Sequence, residues 1–161
     1  MTPANPVRPL LTPEEFWEAF CEHNMDLDRT ALYYTVWQFM GGGKGCDRLA
    51  SLVRANIKTA TSSPLFTFEM DGEKVPEEGD YSIVLDSEEE PLFIIRDTKV
   101  EIKKFSEVDA DFAYKEGEGD QSLDYWRRVH RDYFTGLCED YGVEFSEDME
   151  VVCEEFEIVF Q

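Results

Sequence analysis

Hydrophobic residues change their spacing near residue 58, and this change limits the folds open to the chain. Before that point they recur every three or four positions, as Leu49, Leu52 and Val53 do, which is the period of an amphipathic helix. From Leu65 onward, short runs of alternating residues appear, which is the period of a half-buried strand. Blocks of both periods in one chain are typical of an α+β domain.

Turn residues separate the runs with strand spacing. These runs cover residues 65–70, 81–86, 92–96, 100–105 and 151–160. Helical spacing predicts helices at residues 47–56, 107–115 and 122–141, and a further one that starts at the capping box Thr12-Pro13-Glu14-Glu15. We therefore expect an α+β fold with a small, mostly antiparallel sheet or β-barrel and flanking helices.

The length of 161 residues suits one domain with a hydrophobic core. Pro3, Pro6 and Pro9 predict an extended arm over residues 1–11, and residues 12–161 are expected to form the single domain. No apolar run is long enough to cross a bilayer, and no basic segment followed by an apolar stretch opens the chain. We expect a cytoplasmic protein that does not associate with membranes.

The charge of the chain restricts its partners. Fifteen Lys and Arg stand against 36 Asp and Glu, a formal charge of −21. Long DNA or RNA is disfavoured because cationic side chains drive phosphate binding. Residues 96–131 are the exception, with eight basic and nine acidic residues, so an anionic ligand would be best tolerated there or near Lys58.

Residue spacing gives no sign of a cofactor. The four cysteines are scattered, and the two histidines are not in a zinc-binding array, so no metal ligand and no cofactor is predicted, although Mg²⁺ or Mn²⁺ held by carboxylates stays open. The run Gly41–Gly45 fails the phosphate-loop pattern because Gly45, not Ser or Thr, follows Lys44. It is predicted to be a loop before the next helix.

Two neighbouring segments are candidates for a pocket. Trp37 and Phe39 belong to an aromatic cluster over residues 30–40 that is expected to be core or pocket lining. Residues 58–63 follow the second helix with one lysine and four hydroxyl side chains, including Ser62 and Ser63. We interpret that segment as a polar junction at the mouth of a pocket.

Several motifs in order resemble the ASCH domain family over residues from about 37 to 160. They are Ile57-Lys58-Thr59-Ala60-Thr61, Gly79–Asp86, Phe105–Asp109, Glu116–Asp120, Ser122–Trp126, Phe145–Met149 and Val151–Glu154. The resemblance implies a fold similar to the PUA domain, a small β-barrel with flanking helices and a cleft at one side. Relatives of this family are regarded as RNA-binding or RNA-processing modules.

The resemblance also implies an activity. One branch of the family hydrolyses the amide of N4-acetylcytidine and similar acylated cytidines with a lysine, a threonine and a glutamate. Lys58, Thr61 and Glu116 match that set here. A lysine acts as a base for the threonine only if burial lowers its pKa by roughly three units, and a nearby glutamate would oppose this.

Two functions therefore stay open. In the first, the protein is an amidohydrolase for an N4-acylated cytidine-type nucleoside, with Trp37, Phe39 and Tyr81 stacking on the base. In the second, it is an RNA-binding module, or a metal-dependent ribonuclease, without amidohydrolase activity. The expected partner is a small nucleoside or a short RNA, and the oligomeric state is not predicted. The side chains assigned to phosphates in the second function are Lys58, Arg127, Arg128 and Arg131.

Overall fold

The computed structural model describes residues 10–30 and 32–161. The helices are α1 (Pro13–His23), α2 (Lys44–Arg54), α3 (Leu65–Asp71), α4 (Ala110–Glu116) and α5 (Leu123–Tyr141). The strands are β1 (Tyr34–Trp37), β2 (Ala60–Pro64), β3 (Tyr81–Leu85), β4 (Pro91–Lys104) and β5 (Glu150–Phe160). Short 3₁₀ turns precede α2 and α4.

The five strands form one sheet in the order β1-β3-β4-β5-β2. The β1–β3 pair is parallel, and the other three pairs are antiparallel. This confirms the α+β class and the mostly antiparallel sheet. Because β1 and β2 stand at opposite ends of this order, the sheet is open, and a barrel describes it only loosely.

Helices cover both faces of the sheet. Leu49 and Val53 of α2 pack with Val84 and Phe93 on one face. The other face carries α1, which packs on Ile83 and Ile94, and the pair α4 and α5, whose Phe112, Trp126 and Phe134 pack with Val151. The predicted capping box of α1 is present, since Thr12 and Glu15 each accept the other's backbone N–H.

β4 is longer than predicted. The two predicted strands at 92–96 and 100–105 are one strand, Pro91–Lys104. The register of β4 against β5 shifts between Asp97 and Lys99, which is the site of a β-bulge. The bulge explains why the alternation of the sequence is interrupted there.

The predicted strand at 65–70 is wrong. Those residues form the helix α3. Most of the preceding segment 58–63, predicted to be a polar junction, belongs to the strand β2, which pairs with β5. Pairing with a neighbouring strand therefore outweighs the weak strand propensity of Ser62 and Ser63. The strand β1 was also not predicted, because it has only four residues, two of them aromatic, and shows no clear alternation.

Only part of the predicted N-terminal arm can be compared with the structure. Residues 1–9 lie outside the described residues, and Leu10 and Leu11 are exposed and belong to no helix or strand. All four cysteines are buried free thiols. Within the described part of the chain, no helix has both the length and the apolar character needed to span a membrane.

Candidate ligand pocket

One cavity of about 610 Å³ opens beside the edge strand β2. Eight of the predicted site residues line it. They are Trp37, Phe39, Lys58, Thr61, Ser62, Ser63, Tyr81 and Glu116. The helix α3 and the segment 73–76 form another part of the wall. The structure therefore brings the lysine, threonine and glutamate of the predicted set to a single cavity.

The backbone before β2 carries Lys58 into this cavity. Asn56 has a φ of 58°, and the N–H groups of Ile57 and Lys58 both donate to Leu52 O, which ends α2 with a sharp turn. The C-terminal end of α4 packs against this turn. A Cβ at Gly117 would lie 2.8 Å from Lys58 Cα and closer still to the Ile57 carbonyl, so this contact requires glycine.

The side chain of Lys58 is almost completely buried, at 1% exposure. Its Nζ lies 3.0 Å from Glu116 Oε2, 3.1 Å from Glu118 Oε2 and 3.3 Å from the Glu116 carbonyl oxygen. Its ammonium also faces the ring of Phe39, 5.6 Å from the centroid. We call Lys58, Glu116 and Glu118 the lysine cluster.

Glu116 receives further donors from β2 and α5. Ser62 Oγ and Trp126 Nε1 both donate to Glu116 Oε1, the latter over 3.1 Å. His130 Nε2 lies 3.5 Å from the other carboxylate oxygen, and its ring stacks on Trp126. The carboxylate is thus held from three sides within a buried environment.

These contacts fix the charge of the lysine cluster. Burial by itself would raise the pKa of Glu116, but Lys58, His130 and Ser62 outweigh it and hold that pKa well below its usual range. Burial likewise opposes the charge of Lys58, but Glu116 and Glu118 raise its pKa above the usual value. Burial raises the pKa of Glu118, although Lys58 partly opposes this. Of the two opposing effects that the sequence left open at Lys58, the nearby carboxylates outweigh burial, because two of them share its buried site.

Sequence reasoning missed a second group of carboxyls, Asp97 and Glu154, which we call the carboxyl pair. Both line the cavity, at 3% and 8% exposure, and they lie close together on one face of the sheet, since Asp97 pairs with Phe156, two positions from Glu154. Burial raises the pKa of Asp97 to about 7, and burial together with Asp97 raises that of Glu154 well above its usual value. One signal was present in the sequence: Glu154 falls on the apolar face of β5 between Val152 and Phe156.

The carboxyl pair belongs to a polar stripe that crosses the sheet. Strand register places its members on the same face. Thr61 pairs with Glu154, and Asp97 pairs with Phe156, two positions from Glu154. Ser82 pairs with Thr35 on one side and on the other with Ile95, two positions from Asp97. Thr35 Oγ1 and Ser82 Oγ are 2.8 Å apart. All five polar residues of the stripe line the cavity: Thr35, Thr61, Ser82, Asp97 and Glu154.

The aromatic candidates differ in how far they are free for a ligand. Phe39 is 4% exposed and packs edge-on against Trp37, which is only half-buried. Tyr81 packs against Trp17 and Phe20 of α1 as well as lining the cavity. Trp37 and Tyr81 are thus both more accessible than Phe39, and Tyr81 is in addition held by α1.

The three predicted arginines are not among the residues that line the cavity. Arg127 donates to the carbonyl oxygens of Ser106 and Val108. Arg128 lies over the ring of Tyr125, and Arg131 pairs with Glu147. Their predicted contacts with phosphate stay a prediction, and they concern a surface other than the pocket.

A divalent cation has one candidate position in the described residues. Glu116, Glu118 and His130 offer ligand atoms that lie within 4.8 Å of one another. The Lys58 ammonium already contacts both carboxylates and supplies the positive charge that a metal ion would bring. A cation bound there would have to displace Lys58, so the donor set does not fit a resident metal.

Comparisons with known proteins agree with this geometry. The ASCH domain family model matches residues 35–160. The structure is similar to that of an ASCH domain from Lactobacillus crispatus JV V101, with a TM-score of 0.81 and 30% identity over 92% of this chain and 94% of the other. It is equally similar to a protein from Enterococcus faecalis V583, with a TM-score of 0.81 and 40% identity over 91% of this chain and 87% of the other. No curated protein matched by sequence.

The fold and the pocket thus define a small α+β domain of the PUA-like type. The chain belongs to the ASCH domain family. The family resemblance of the sequence is confirmed.

Proposed function

We propose that this ASCH domain is an amidohydrolase for an N4-acylated cytidine-type nucleoside. The observation that carries the proposal is the convergence of Lys58, Thr61 and Glu116 on one cavity. A volume of about 610 Å³ lies within the range of small-molecule sites. The family resemblance, which assigns the same three positions to amide hydrolysis, supports it further.

The charge of the cavity favours an uncharged ligand. Seven carboxylic side chains line it against the two lysines Lys58 and Lys74. Both lysines are paired already, Lys74 with Asp80 at 2.8 Å. A phosphate in this cavity would meet mostly negative potential, whereas a neutral nucleoside would not. The same balance weighs against RNA as the ligand of this pocket.

The protonation states suggest how the residues share the reaction. Because Lys58 is held as an ammonium, it suits the role of stabilising the oxyanion that forms on the acyl oxygen. Glu118 is the better base of the lysine cluster, because its pKa is raised while that of Glu116 is lowered. Glu116 then positions Lys58 through their 3.0 Å ion pair.

The proposed reaction transfers the acyl group to water. The Thr61 hydroxyl, or a water in its place, adds to the acyl carbon while its proton passes to Glu118. The C–N bond then breaks, and that proton goes to the exocyclic nitrogen of the leaving cytidine. When Thr61 is the nucleophile, water hydrolyses the acyl-threonine in a second addition. The products are cytidine and the free carboxylic acid.

The test is conversion of N4-acetylcytidine to cytidine, followed by chromatography. We expect turnover by the wild type and a loss of at least about a hundredfold in Thr61→Val and Glu118→Gln. Thr59→Val is the matched control, because Thr59 lies next to β2 but does not line the cavity. Absence of turnover in a folded wild-type protein would refute the proposal.

A further inference from the structure

We propose that the carboxyl pair, Asp97 and Glu154, holds one proton and donates it as a hydrogen bond to an acceptor nitrogen in the ring of the ligand's base. The inference deepens the proposed function and rests on it. It assigns the pair a role in base selection, in addition to the lysine cluster that the amide reaction uses.

The surroundings of the pair explain why it needs a proton. Two carboxyl groups that lie together out of water cannot both be ionised without a counter-charge. The charged groups near the pair are Asp80, Glu116 and Lys74. The first two are negative, and the amine of Lys74 is engaged by Asp80 at 2.8 Å and by Glu77 at 3.6 Å. None of these described neighbours supplies an unpaired positive charge to the pair. The pair is therefore neutralised in part by a proton that it holds itself.

The position of the pair lets it act on the ligand that the lysine cluster holds. Glu154 lies directly opposite Thr61 across the β2–β5 pair, and both side chains line the cavity. Residues directly opposite in an antiparallel pair have Cβ atoms about 5 Å apart. The acyl carbon of an N4-acylated cytosine and its ring nitrogen N3 are only three bonds apart, so two side chains at this spacing can contact both groups of one base.

The proposed hydrogen bond distinguishes pyrimidines. Cytosine and its N4-acyl derivatives carry an acceptor at N3, whereas uracil carries an N–H donor there. The O–H of a protonated carboxyl donates to the first, whereas the second has no acceptor at N3 to receive it. Once the pair is ionised, it has no O–H to donate to N3, so the preference for cytosine is lost. The base preference of the pocket should therefore depend on pH.

The pH dependence follows from the direction of the shift. The pKa of Asp97 is raised to about 7 and that of Glu154 well above its usual value, so the pair still holds a proton at neutral pH and loses it as pH rises further. Two neighbours of the pair, Glu116 and Lys74, retain their charges over this change, because the pKa of Glu116 is lowered and that of Lys74 is raised. We expect cytidine to bind about tenfold more tightly than uridine in mildly acidic solution, with the ratio falling towards one above neutral pH.

The experiment is calorimetric binding of cytidine, N4-acetylcytidine and uridine below and above neutral pH. The proteins are wild type, Glu154→Gln, Glu154→Leu and the control Asp132→Asn on the exposed surface of α5. Gln keeps an N–H donor at every pH, so it should retain the cytidine preference and remove its pH dependence. Leu should lose the preference, and the control should behave as wild type.

A second readout keeps the outcomes distinct. The infrared band of a protonated carboxyl should be present in the wild type near neutral pH and absent from Glu154→Gln. Nucleoside binding with a preference independent of pH, or the absence of that band, would overturn this inference and leave the proposed function standing. Failure of all three nucleosides to bind would refute the proposed function, and with it the ligand assigned here.

Discussion

Two groups of carboxyl side chains share one cavity, and they differ in whether a cation lies among them. Glu116 has Lys58 at 3.0 Å and His130 at 3.5 Å, and these neighbours keep it ionised despite its burial. Asp97 and Glu154 are buried to a similar extent without such a partner, and their pKa values are raised. The comparison shows that the neighbours, rather than burial, decide which carboxyl is charged.

The difference assigns the two groups different tasks. An ionised carboxylate locked to an ammonium provides a fixed electrostatic arrangement for charge that develops on a substrate. A pair that retains a proton near neutral pH provides a donor that can be switched off by pH. Variants that remove the cation from the first group, or the proton from the second, test the comparison directly.

Removal of the Lys58 charge should have the largest effect. Lys58→Met leaves Glu116 and Glu118 buried without their ammonium, and we expect a loss of about 3–5 kcal/mol in the free energy of unfolding. Lys74→Met is the matched control, since Lys74 lines the same cavity but pairs with Asp80 near the surface and should cost less than about 1 kcal/mol. Urea unfolding measures both, and equal losses would contradict the account.

The close approach at Gly117 gives the next largest effect. Gly117→Ala places a methyl group against the Ile57 carbonyl and Lys58 Cα at a φ of 74°. Gly142→Ala is the control, because Gly142 has a φ of 70° with open space around it. We expect about 1 kcal/mol of destabilisation for the control from the left-handed backbone alone, and clearly more for Gly117→Ala.

Gly117→Ala should also affect the ligand. Because the methyl group pushes on the backbone of Lys58, nucleoside affinity should fall in Gly117→Ala and stay unchanged in Gly142→Ala. Similar thermal shifts with cytidine for both variants would show that this contact does not position the lysine cluster.

The contributions of the two carboxyl groups to the stability of the fold should change with pH in opposite directions. The native pKa of Asp97 is raised to about 7, so between about pH 4 and pH 7 the folded state binds more protons than the unfolded state. The contribution of the carboxyl pair to stability is therefore present below pH 4 and falls as pH rises to about 7. Glu116 acts in the opposite direction, because its lowered pKa gives a contribution that is lost on acidification.

Chemical unfolding of Asp97→Asn at a series of pH values measures this. Relative to wild type, the variant should lack the fall in stability between about pH 4 and pH 7. Asp132→Asn makes the same change of charge on the surface and should follow the wild-type curve. A variant curve parallel to that of wild type would show that the pair carries no excess proton.

The three arginines should have the smallest effect on the pocket. Arg127→Gln, Arg128→Gln and Arg131→Gln alter side chains that do not line the cavity, so we expect no change in nucleoside affinity. The same variants test the RNA alternative by gel shift with a short RNA. Salt-sensitive RNA binding that these variants abolish would favour an RNA-binding module on that surface.

The sequence predicted most of the fold through periodicity. The helix α5 follows an apolar stripe and a Ser122 cap, and the structure has it at Leu123–Tyr141. The strand β2 could not be predicted, because its polar residues have little strand propensity and form a strand only through pairing with β5. The alternation at 65–70 was misleading for a related reason. Because α3 contains no fully buried residue, the spacing of its apolar residues does not show which side faces the core.

Only some residues of the candidate site were predicted from the sequence, and there is a physical reason why the others were missed. Lys58, Thr61 and Glu116 belong to motifs of contiguous residues, so the family resemblance identifies them. The carboxyl pair joins residues 57 positions apart, and the sheet alone brings them together across β4 and β5. The charge of Lys58 also could not be predicted from the sequence, because it depends on both Glu116 and Glu118 lying within hydrogen-bonding distance.

The most direct test of the contrast is a pH titration of the side-chain carboxyl carbons by NMR on the ¹³C-labelled wild-type protein. Glu154→Gln, Asp97→Asn and Glu116→Gln assign the signals. We expect Glu116 to stay ionised through the acid range in which ordinary glutamates titrate, and the Asp97–Glu154 pair to release a proton near or above neutral pH. Titration of all three carboxyls near the usual value of about 4 would contradict this expectation.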